Sequence, residues 1–352
     1  MKKLYIALLI FGILLIIVGQ CCGFTITSGG LYTGINEEIY IFTSQPVTLQ
    51  SCNSPKVTNV SGTSYGPPVN VTLRDSRFIT QSPSNTGDNQ FDLVYFEGAA
   101  SVIVWNCYFN GQVGNAGGLC AGGLVIWGGH PGSVPITIAA SVFLDCSPAI
   151  QISGYQSDPA IGIYGNQVLQ TTAYQHNDEI SLFESSGVLG FPIMVQNNLI
   201  NWNPDAPQVK NAGGIVPDLG SSYIHVVGNV SLNQGIGAYY DDGNTDIFED
   251  NLVIGLGDSK AYSYGIAIWP GGGHAINNTV LWVPQAGGGQ PFYLGNAGGG
   301  NNPAPTGNDN VGDTGQVLLA NSLLTRAFEV DLYNQWLTDQ ELGGATYPSE
   351  LP

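Results

Sequence analysis

Four acidic residues follow short apolar segments of the sequence and are the residue type that acid–base chemistry requires. Glu184, Asp218 and Asp241 each stand two residues beyond an apolar residue, and Asp242 follows directly. If these segments are neighbouring strands, the carboxylates lie about 5 Å apart along one face. Glycosidases use carboxylate pairs about 5–5.5 Å or about 6.5–9.5 Å apart, and repulsion between stacked carboxylates raises one pKa, which creates a proton donor. We therefore predict Asp218 with Asp241 or Asp242 as a catalytic pair, with Glu184 beside it.

The same cluster has two other interpretations. Clustered carboxylate oxygens suit Ca²⁺, which is the one cofactor that the residues allow. Aspartate is also frequent in turns that face solvent. No zinc site is predicted, because similar segments ending in His130 and His274 lie about five repeats apart, roughly 24 Å at the strand spacing. His176 is a further candidate base, within one repeat of Asp218.

Aromatic residues accompany this face of the predicted structure. Those assigned to substrate binding are Trp127, Tyr239, Tyr240 and Trp269, with Phe183 nearby. Flat aromatic rings in a row can stack on the apolar faces of sugars. The alternative is that some of these rings point inward as part of the core.

Two series of short apolar segments must position these residues. In the first series, most segments alternate apolar and polar residues and lead to Asn or Ser: 71–76, 102–106, 136–141, 161–166, 193–198, 224–229, 247–251, 275–278 and 317–321. The second series lies between them: 93–96, 124–127, 149–152, 180–183, 266–269 and 292–294. The lengths and the Gly-, Asn- and Asp-rich connections predict strands separated by turns.

Helical patterns of ten or more residues are absent between these segments, so crossover helices are not available. Coils of short strands can instead stack on one another, with Asn at one turn forming a ladder of hydrogen bonds. The repeat resembles that of the pectate-lyase-like superfamily over residues 65–325. This resemblance implies an all-β, right-handed parallel β-helix of about nine coils with end caps. An antiparallel sandwich is the alternative, but it gives no reason for the recurring Asn.

The repeat also suggests an organisation along the chain. We expect an export signal in 1–23, an N-terminal cap or irregular first coil in 24–64, the β-helix in 65–325, and a C-terminal cap and tail in 326–352. The signal is inferred from Lys2 and Lys3 before an apolar run of about 15 residues, which is shorter than a bilayer requires. Cleavage, lipidation at Cys21 and retention as an anchor are all open.

Composition restricts the compartment and the partners. Eight basic and 26 acidic residues give a formal charge of −18, which argues against nucleic acid as a partner. An acidic, lysine-poor surface suits a secreted or cell-surface protein, and no membrane contact is expected beyond the signal or a lipid anchor. In such a compartment Cys52, Cys107, Cys120 and Cys146 allow two disulfides.

The leading functional expectation is a secreted enzyme that cleaves a polysaccharide, as a glycoside hydrolase or a lyase. The alternative is a non-catalytic surface, adhesive or spike-like protein that binds glycans or has a structural role. The arginine-centred calcium site of pectate lyases is not recognisable here, because only Arg74 and Arg77 lie in the early coils. The acidic surface favours a neutral glycan over a polyuronate. The sequence does not indicate an oligomeric state.

Overall fold

The chain is all-β in the part that the structure describes. This computed structural model describes 23–61, 64–65, 67–80, 92–99, 101–111, 121–128, 135–155, 161–170, 178–202, 213–218, 220–232, 237–241, 245–256, 264–268, 273–283, 290–294, 306–308 and 310–313. These ranges contain 34 strands and no helix. Accordingly, no helix in them has the length and apolar character needed to cross a bilayer.

Three long sheets contain all but two of these strands. Sheet A has eleven, in this order: β1 (Phe24–Ile26), β3 (Ile39–Ile41), β6 (Val57–Thr58), β11 (Val94–Glu97), β14 (Leu124–Trp127), β17 (Ile150–Ser153), β20 (Ile180–Phe183), β23 (Gly213–Asp218), β26 (Gly237–Asp241), β29 (Tyr264–Ile268) and β32 (Gln290–Leu294).

Sheet B also has eleven strands: β2 (Gly30–Thr33), β4 (Val47–Gln50), β9 (Asn70–Arg74), β12 (Ser101–Trp105), β15 (Ile136–Ala139), β18 (Ile161–Tyr164), β21 (Ile193–Gln196), β24 (Ile224–Val227), β27 (Ile247–Glu249), β30 (His274–Ile276) and β33 (Thr306–Asn308).

Sheet C has ten strands: β5 (Asn53–Ser54), β10 (Arg77–Ile79), β13 (Tyr108–Asn110), β16 (Val142–Leu144), β19 (Gln167–Gln170), β22 (Leu199–Trp202), β25 (Val230–Leu232), β28 (Leu252–Leu256), β31 (Thr279–Val283) and β34 (Val311–Asp313). The remaining two, β7 (Val60–Ser61) and β8 (Ser64–Tyr65), form a small antiparallel pair.

The connectivity explains how a chain without crossover helices builds parallel sheets. From β11 to β34 the chain passes through sheets A, B and C in turn, and each strand pairs in parallel with its equivalent in the next coil. The three parallel sheets are consistent with a β-helical solenoid, in agreement with the fold class predicted from the repeat. The parallel pairing also excludes the antiparallel sandwich as the architecture of the described residues.

The core lies between the three sheets and is built from alternate residues of each strand. Inward positions in sheet A, such as Ile126, Ile152 and Leu182, are fully buried. In sheet C the rings of Phe78, Phe109 and Phe143 pack on one another in consecutive coils; Phe78 is tilted against Phe109 at a centroid separation of 5.0 Å, and Phe109 stacks on Phe143 at 4.4 Å. Like side chains thus pack on like, which keeps successive coils in register.

The corner between sheets B and C has the same length in every described coil. Each strand of sheet B from β4 onward is separated by two residues from the next strand of sheet C. The first corner residue is commonly left-handed, as at Asn106 (φ 51°) and Asn197 (φ 56°). The second points inward and forms the ladder: Cys52, Ser76, Cys107, Ser141, Asn166, Asn198, Asn229, Asn251, Asn278 and Asn310.

The predicted asparagine ladder is therefore confirmed, with changes at two positions. In the coil assigned to Asn106 the ladder residue is Cys107, because Asn106 occupies the left-handed position before it. In the last described coil Asn310 accepts a hydrogen bond from the Asn278 N–H at 3.0 Å. Asn321, predicted for that coil, lies outside the described residues.

The sheets also extend further towards the N-terminus than the repeat suggested. Strands β1 to β6 already pair with the three sheets, for example Val47 with Val71 and Val57 with Val94. Two sheets consequently have eleven strands, against a prediction of about nine coils. The early coils escaped detection because they lack Asn at the ladder position. The predicted export signal, 1–23, lies outside the described residues except for Gly23, and the predicted C-terminal cap and tail, 326–352, lies wholly outside them.

The predicted disulfides are not formed among the described cysteines. Cys52, Cys107 and Cys146 are buried, and no disulfide joins any two of them. Cys52 and Cys107 occupy the same ladder with Ser76 between them, about 9.6 Å apart at two strand spacings, which is beyond the reach of a disulfide. Cys120 lies outside the described residues.

Candidate functional site

The candidate site is a row of side chains at the C-terminal end of the sheet A strands, which we name the sheet A edge. It comprises Glu97, Trp127, Ser153, Phe183 and Asp218, which occupy one register position in five consecutive strands. These residues follow an inward-facing residue and therefore point outward, because side chains alternate along a strand. The row runs along the solenoid, perpendicular to the strands.

Two aromatic rings dominate the middle of the sheet A edge. Trp127 and Phe183 lie two strands apart and stack with a centroid separation of 6.1 Å and an interplanar angle of 26°. Ser153 lies between them in register and is buried, and its small side chain lets the two rings approach. Trp127 remains 38% exposed, so part of its ring surface is open to a ligand.

A left-handed turn ends each strand just beyond this row. Gly98, Gly128 and Gly154 have φ angles of 61°, 75° and 78° there, and Glu184 has 49° in the next coil. The N–H of each of these residues donates to the row residue of the following strand, as from Gly154 to the Phe183 carbonyl at 3.0 Å. Glutamate at a position that the preceding coils give to glycine is strained, at a cost of about 1–2 kcal/mol.

Two partly enclosed carboxyls lie on the outer side of sheet A at the opposite ends of its strands. Asp178 accepts a hydrogen bond from the Gly213 N–H at 3.1 Å. Burial raises its pKa to about 6, the Gly213 hydrogen bond opposes this shift, and the charge of Asp218 raises the pKa further. The pKa of Asp178 thus depends in part on the charge of Asp218 in the sheet A edge.

Asp92 repeats this arrangement three coils earlier. Burial raises its pKa to about 7, against the opposing effects of the Lys56 charge and a hydrogen bond from the Gly122 backbone. Glycine at 122 makes room for this carboxylate, because a Cβ there would overlap it and displace the Asp92 side chain. At Gly213 a Cβ would lie 3.0 Å from Asp178 Oδ1, which is similarly tight.

The structure brings together two of the predicted catalytic residues, with a register different from the predicted one. Asp218 pairs with Phe183 rather than Glu184, while the Glu184 N–H donates to the Asp218 carbonyl at 3.3 Å. Glu184 therefore follows the strand adjacent to that of Asp218 and lies one register position further along. Its side chain is exposed at the turn, and that of Asp218 is half-buried on the sheet.

The backbone register separates Asp241 from this row. Tyr239 pairs with Ile215, and Asp241 pairs with Ile268, a fully buried residue. The Asp241 backbone thus lies one register position before that of Asp218. The error in the alignment arose at Val216, which is apolar and 3% exposed but lies on the outer face, so that its residue type gave no indication of its side.

Several predicted site residues cannot be compared with the structure. Asp242, His176 and Trp269 lie outside the described residues, and Tyr239 and Tyr240 are described only in their backbones. Within the described ranges no group of three or more His, Cys, Asp or Glu side chains is arranged to hold a metal ion.

Sequence reasoning did not select Asp178 or Glu97 as site residues. A signal for Asp178 was present. Asp92 and Asp178 both stand two residues before a sheet A strand, and in each case the next coil has a pair of glycines at the same level, 122–123 and 213–214.

Compared with known proteins, the chain matches no family model, curated sequence or solved structure.

Proposed function

We propose that this protein is an extracellular carbohydrate-active protein that binds a neutral polysaccharide along the sheet A edge and hydrolyses it. We further propose that its solenoid is a right-handed parallel β-helix of the pectate-lyase-like type. The observation that carries the functional proposal is the partly exposed Trp127–Phe183 stack in line with Asp218.

The binding part of the proposal follows from the direction of the row. A polysaccharide lying along the solenoid axis would pass Trp127, Phe183 and Asp218 in order, because these residues occupy successive levels of one face. Aromatic rings supply flat apolar surfaces with a partly negative face, which suit the C–H faces of sugars. Tyr240 and Trp269 remain proposed contacts further along the same direction.

The catalytic part rests on two carboxyls with different environments. In this scheme Asp178, whose pKa is raised to about 6 by burial and further by the charge of Asp218, protonates the leaving oxygen, and Asp218 activates water. The scheme requires the two side chains to extend towards each other over the face of the sheet, because Asp178 lies five register positions before Asp218. Asp241, Asp242, Glu184 and His176 remain proposed alternatives for the second role. If Asp178 is the acid, cleavage falls as the pH rises through about 6, because the proton donor is lost.

Charge favours a neutral substrate and hydrolysis over elimination from a uronate. The chain has a formal charge of −18, so a polyuronate meets a field of the same sign. Binding of such a polymer would need Ca²⁺ to bridge the two sets of carboxylates. We therefore expect any calcium-dependent cleavage to be confined to acidic polymers.

The test is a panel of neutral and acidic polysaccharides incubated with the full chain. New reducing ends report any cleavage, and absorbance from new double bonds identifies elimination. We expect reducing ends without double bonds, with Asp178→Asn or Asp218→Asn lowering the rate at least 100-fold, in the range of general acid–base catalysis. Trp127→Ala is expected mainly to weaken substrate binding.

Asp75→Asn is the matched control, because Asp75 is an exposed carboxylate at the other side of the solenoid. It should retain full activity. Cleavage that survives both Asp178→Asn and Asp218→Asn refutes this catalytic pair. Binding without products from any polymer favours the alternative of a non-catalytic surface or adhesive protein.

A further inference from the structure

Sheet B carries a second aromatic surface that the sheet A edge does not include. Trp105 and Tyr164 point outward from sheet B and are 54% and 36% exposed. Trp105 pairs with Ala139, and Ala139 pairs with Tyr164, so the two aromatic residues lie two strands apart at one register position. Their backbones are therefore about 9.6 Å apart along the solenoid axis.

The residues between and beneath these rings are small. Ala139 is 4% exposed, so its small side chain is covered by its neighbours and does not project between the two larger side chains. Gly162 stands two residues before Tyr164 on the same strand, and a Cβ at Gly162 would overlap the Tyr164 ring. The ring therefore lies along the strand over Gly162, with its other face turned to solvent. Glycine at this position makes a flat platform possible.

This surface is also electrically unusual for so acidic a chain. In the five strands from β9 to β21, the outward residues are Asn70, Thr72, Arg74, Ser101, Ile103, Trp105, Thr137, Ala139, Gly162, Tyr164, Met194 and Gln196. They include one cation and no carboxylate, although the chain carries 26 acidic residues. Arg74 is held by Gln50, to which its Nη2 donates at 2.6 Å.

We propose that Trp105 and Tyr164 form a second glycan-binding surface, which holds a neutral polysaccharide along sheet B without taking part in cleavage. Two platforms about 9.6 Å apart are separated by roughly the length of a disaccharide, so sugar rings i and i+2 of the polymer can stack on both. Arg74 is the one charged residue among these outward positions, which suits a neutral chain, and Ala139 places no projecting side chain in the path of the intervening sugar.

This surface is independent of the sheet A edge, because it lies on another sheet and faces a different side of the solenoid. A protein with both surfaces can hold an insoluble polymer on one side while a chain lies against the other. The proposal therefore stands or falls separately from the proposed hydrolysis.

Affinity electrophoresis of the full chain in gels containing glucomannan, xylan or mixed-linkage β-glucan tests the proposal. The reference protein is the Trp127→Ala, Asp218→Asn variant, which lacks the main sheet A ring and the proposed base. We expect it to be retarded by at least one polymer. Trp105→Ala or Tyr164→Ala in this background should weaken binding about tenfold, equivalent to about 1.4 kcal/mol, and the two together should abolish it.

Gly162→Val is the most specific variant, because it lifts the Tyr164 ring from the strand and leaves both aromatic residues in place. We expect it to weaken binding about as much as Tyr164→Ala. Leu31→Ala is the matched control, since Leu31 is 58% exposed on the same sheet but lies three strands away from Trp105. Near-ultraviolet circular dichroism verifies that each variant is folded.

Two results would overturn the proposal. One is loss of all polysaccharide binding in the reference protein, with no further effect of Trp105→Ala. The other is a change from oligomer to monomer in sedimentation of Trp105→Ala with unchanged glycan affinity, which would identify the surface as a contact between copies of this chain.

Discussion

Replacement of Asn229 by alanine tests how much of the stability depends on the ladder. The Asn229 side chain is fully buried. Its Oδ1 accepts from the Asn198 N–H at 2.8 Å, and its Nδ2 donates to the Val195 carbonyl at 2.8 Å and to Asn251 Oδ1 at 3.1 Å. Alanine leaves at least the Asn198 N–H and the Val195 carbonyl without these partners. At about 1–3 kcal/mol for each buried unsatisfied group, the expected loss is about 2–6 kcal/mol.

Two further variants make this prediction sharper. Asn229→Ser keeps an acceptor for the N–H of the preceding coil, as Ser141 does for the Cys107 N–H at 3.1 Å, so it should cost about half as much. Asn197→Gly is the control, because residue 197 is left-handed at φ 56° and glycine tolerates that conformation. It should change stability by less than about 0.5 kcal/mol.

Equilibrium urea unfolding, followed by tryptophan fluorescence, measures all three variants against the parent. The expected order of stability is parent and Asn197→Gly, then Asn229→Ser, then Asn229→Ala. Hydrogen exchange of the Asn198 amide adds a local readout, because coils contact only their neighbours. An alanine variant as stable as the glycine control would show that the ladder bonds contribute little, and the reasoning would fail.

Three other predictions concern acids, strain and thiols. The folded-state pKa of Asp92 is about 7, above its ordinary 3.8, so ionisation of Asp92 destabilises the fold as the pH rises from about 4 to 7. The thermal unfolding midpoint of Asp92→Asn should therefore decline less over that interval than the midpoint of the parent. Glu184→Gly should raise the free energy of unfolding by about 0.5–1 kcal/mol by relieving a left-handed glutamate, and an unchanged or lower value contradicts the strain. Burial raises the pKa of Cys107 to about 12, so Cys107 should resist iodoacetamide when folded, and Cys52 should resist it because it is buried. Both should be alkylated in denaturant without reductant; protection there would indicate a disulfide.

The fold was largely predictable because its signals are local. Alternating segments such as 161–164 and 180–183 match strands β18 and β20, and the recurring Asn identified the ladder. The sheet C strands were not distinguished as a separate series, because only the two corner residues separate each of them from the preceding sheet B strand. The coil that has Cys52 at the ladder position lacked the signal, and in the coil of Cys107 the signal fell on the neighbouring Asn106.

The site was less predictable because it depends on register, which loop lengths conceal. Nine residues separate β20 from β21, and five separate β23 from β24, so sequence spacing does not show that Asp218 pairs with Phe183. The pKa of Asp178 depends on burial and on a glycine in the next coil, 35 residues away. Neither the register of Asp218 nor the pKa of Asp178 can be predicted from the residues next to them in the sequence.

The constant two-residue corner between sheets B and C determines where the molecule tolerates insertions. One extra residue at that corner would shift the phase of the following strand and turn its core side chains towards water. The connections on either side of sheet A vary in length, for example from three residues after β11 to nine after β20. Peptide tags, reporter groups or new binding loops can therefore be grafted beside sheet A, while the ladder corner must be kept intact in any engineered version.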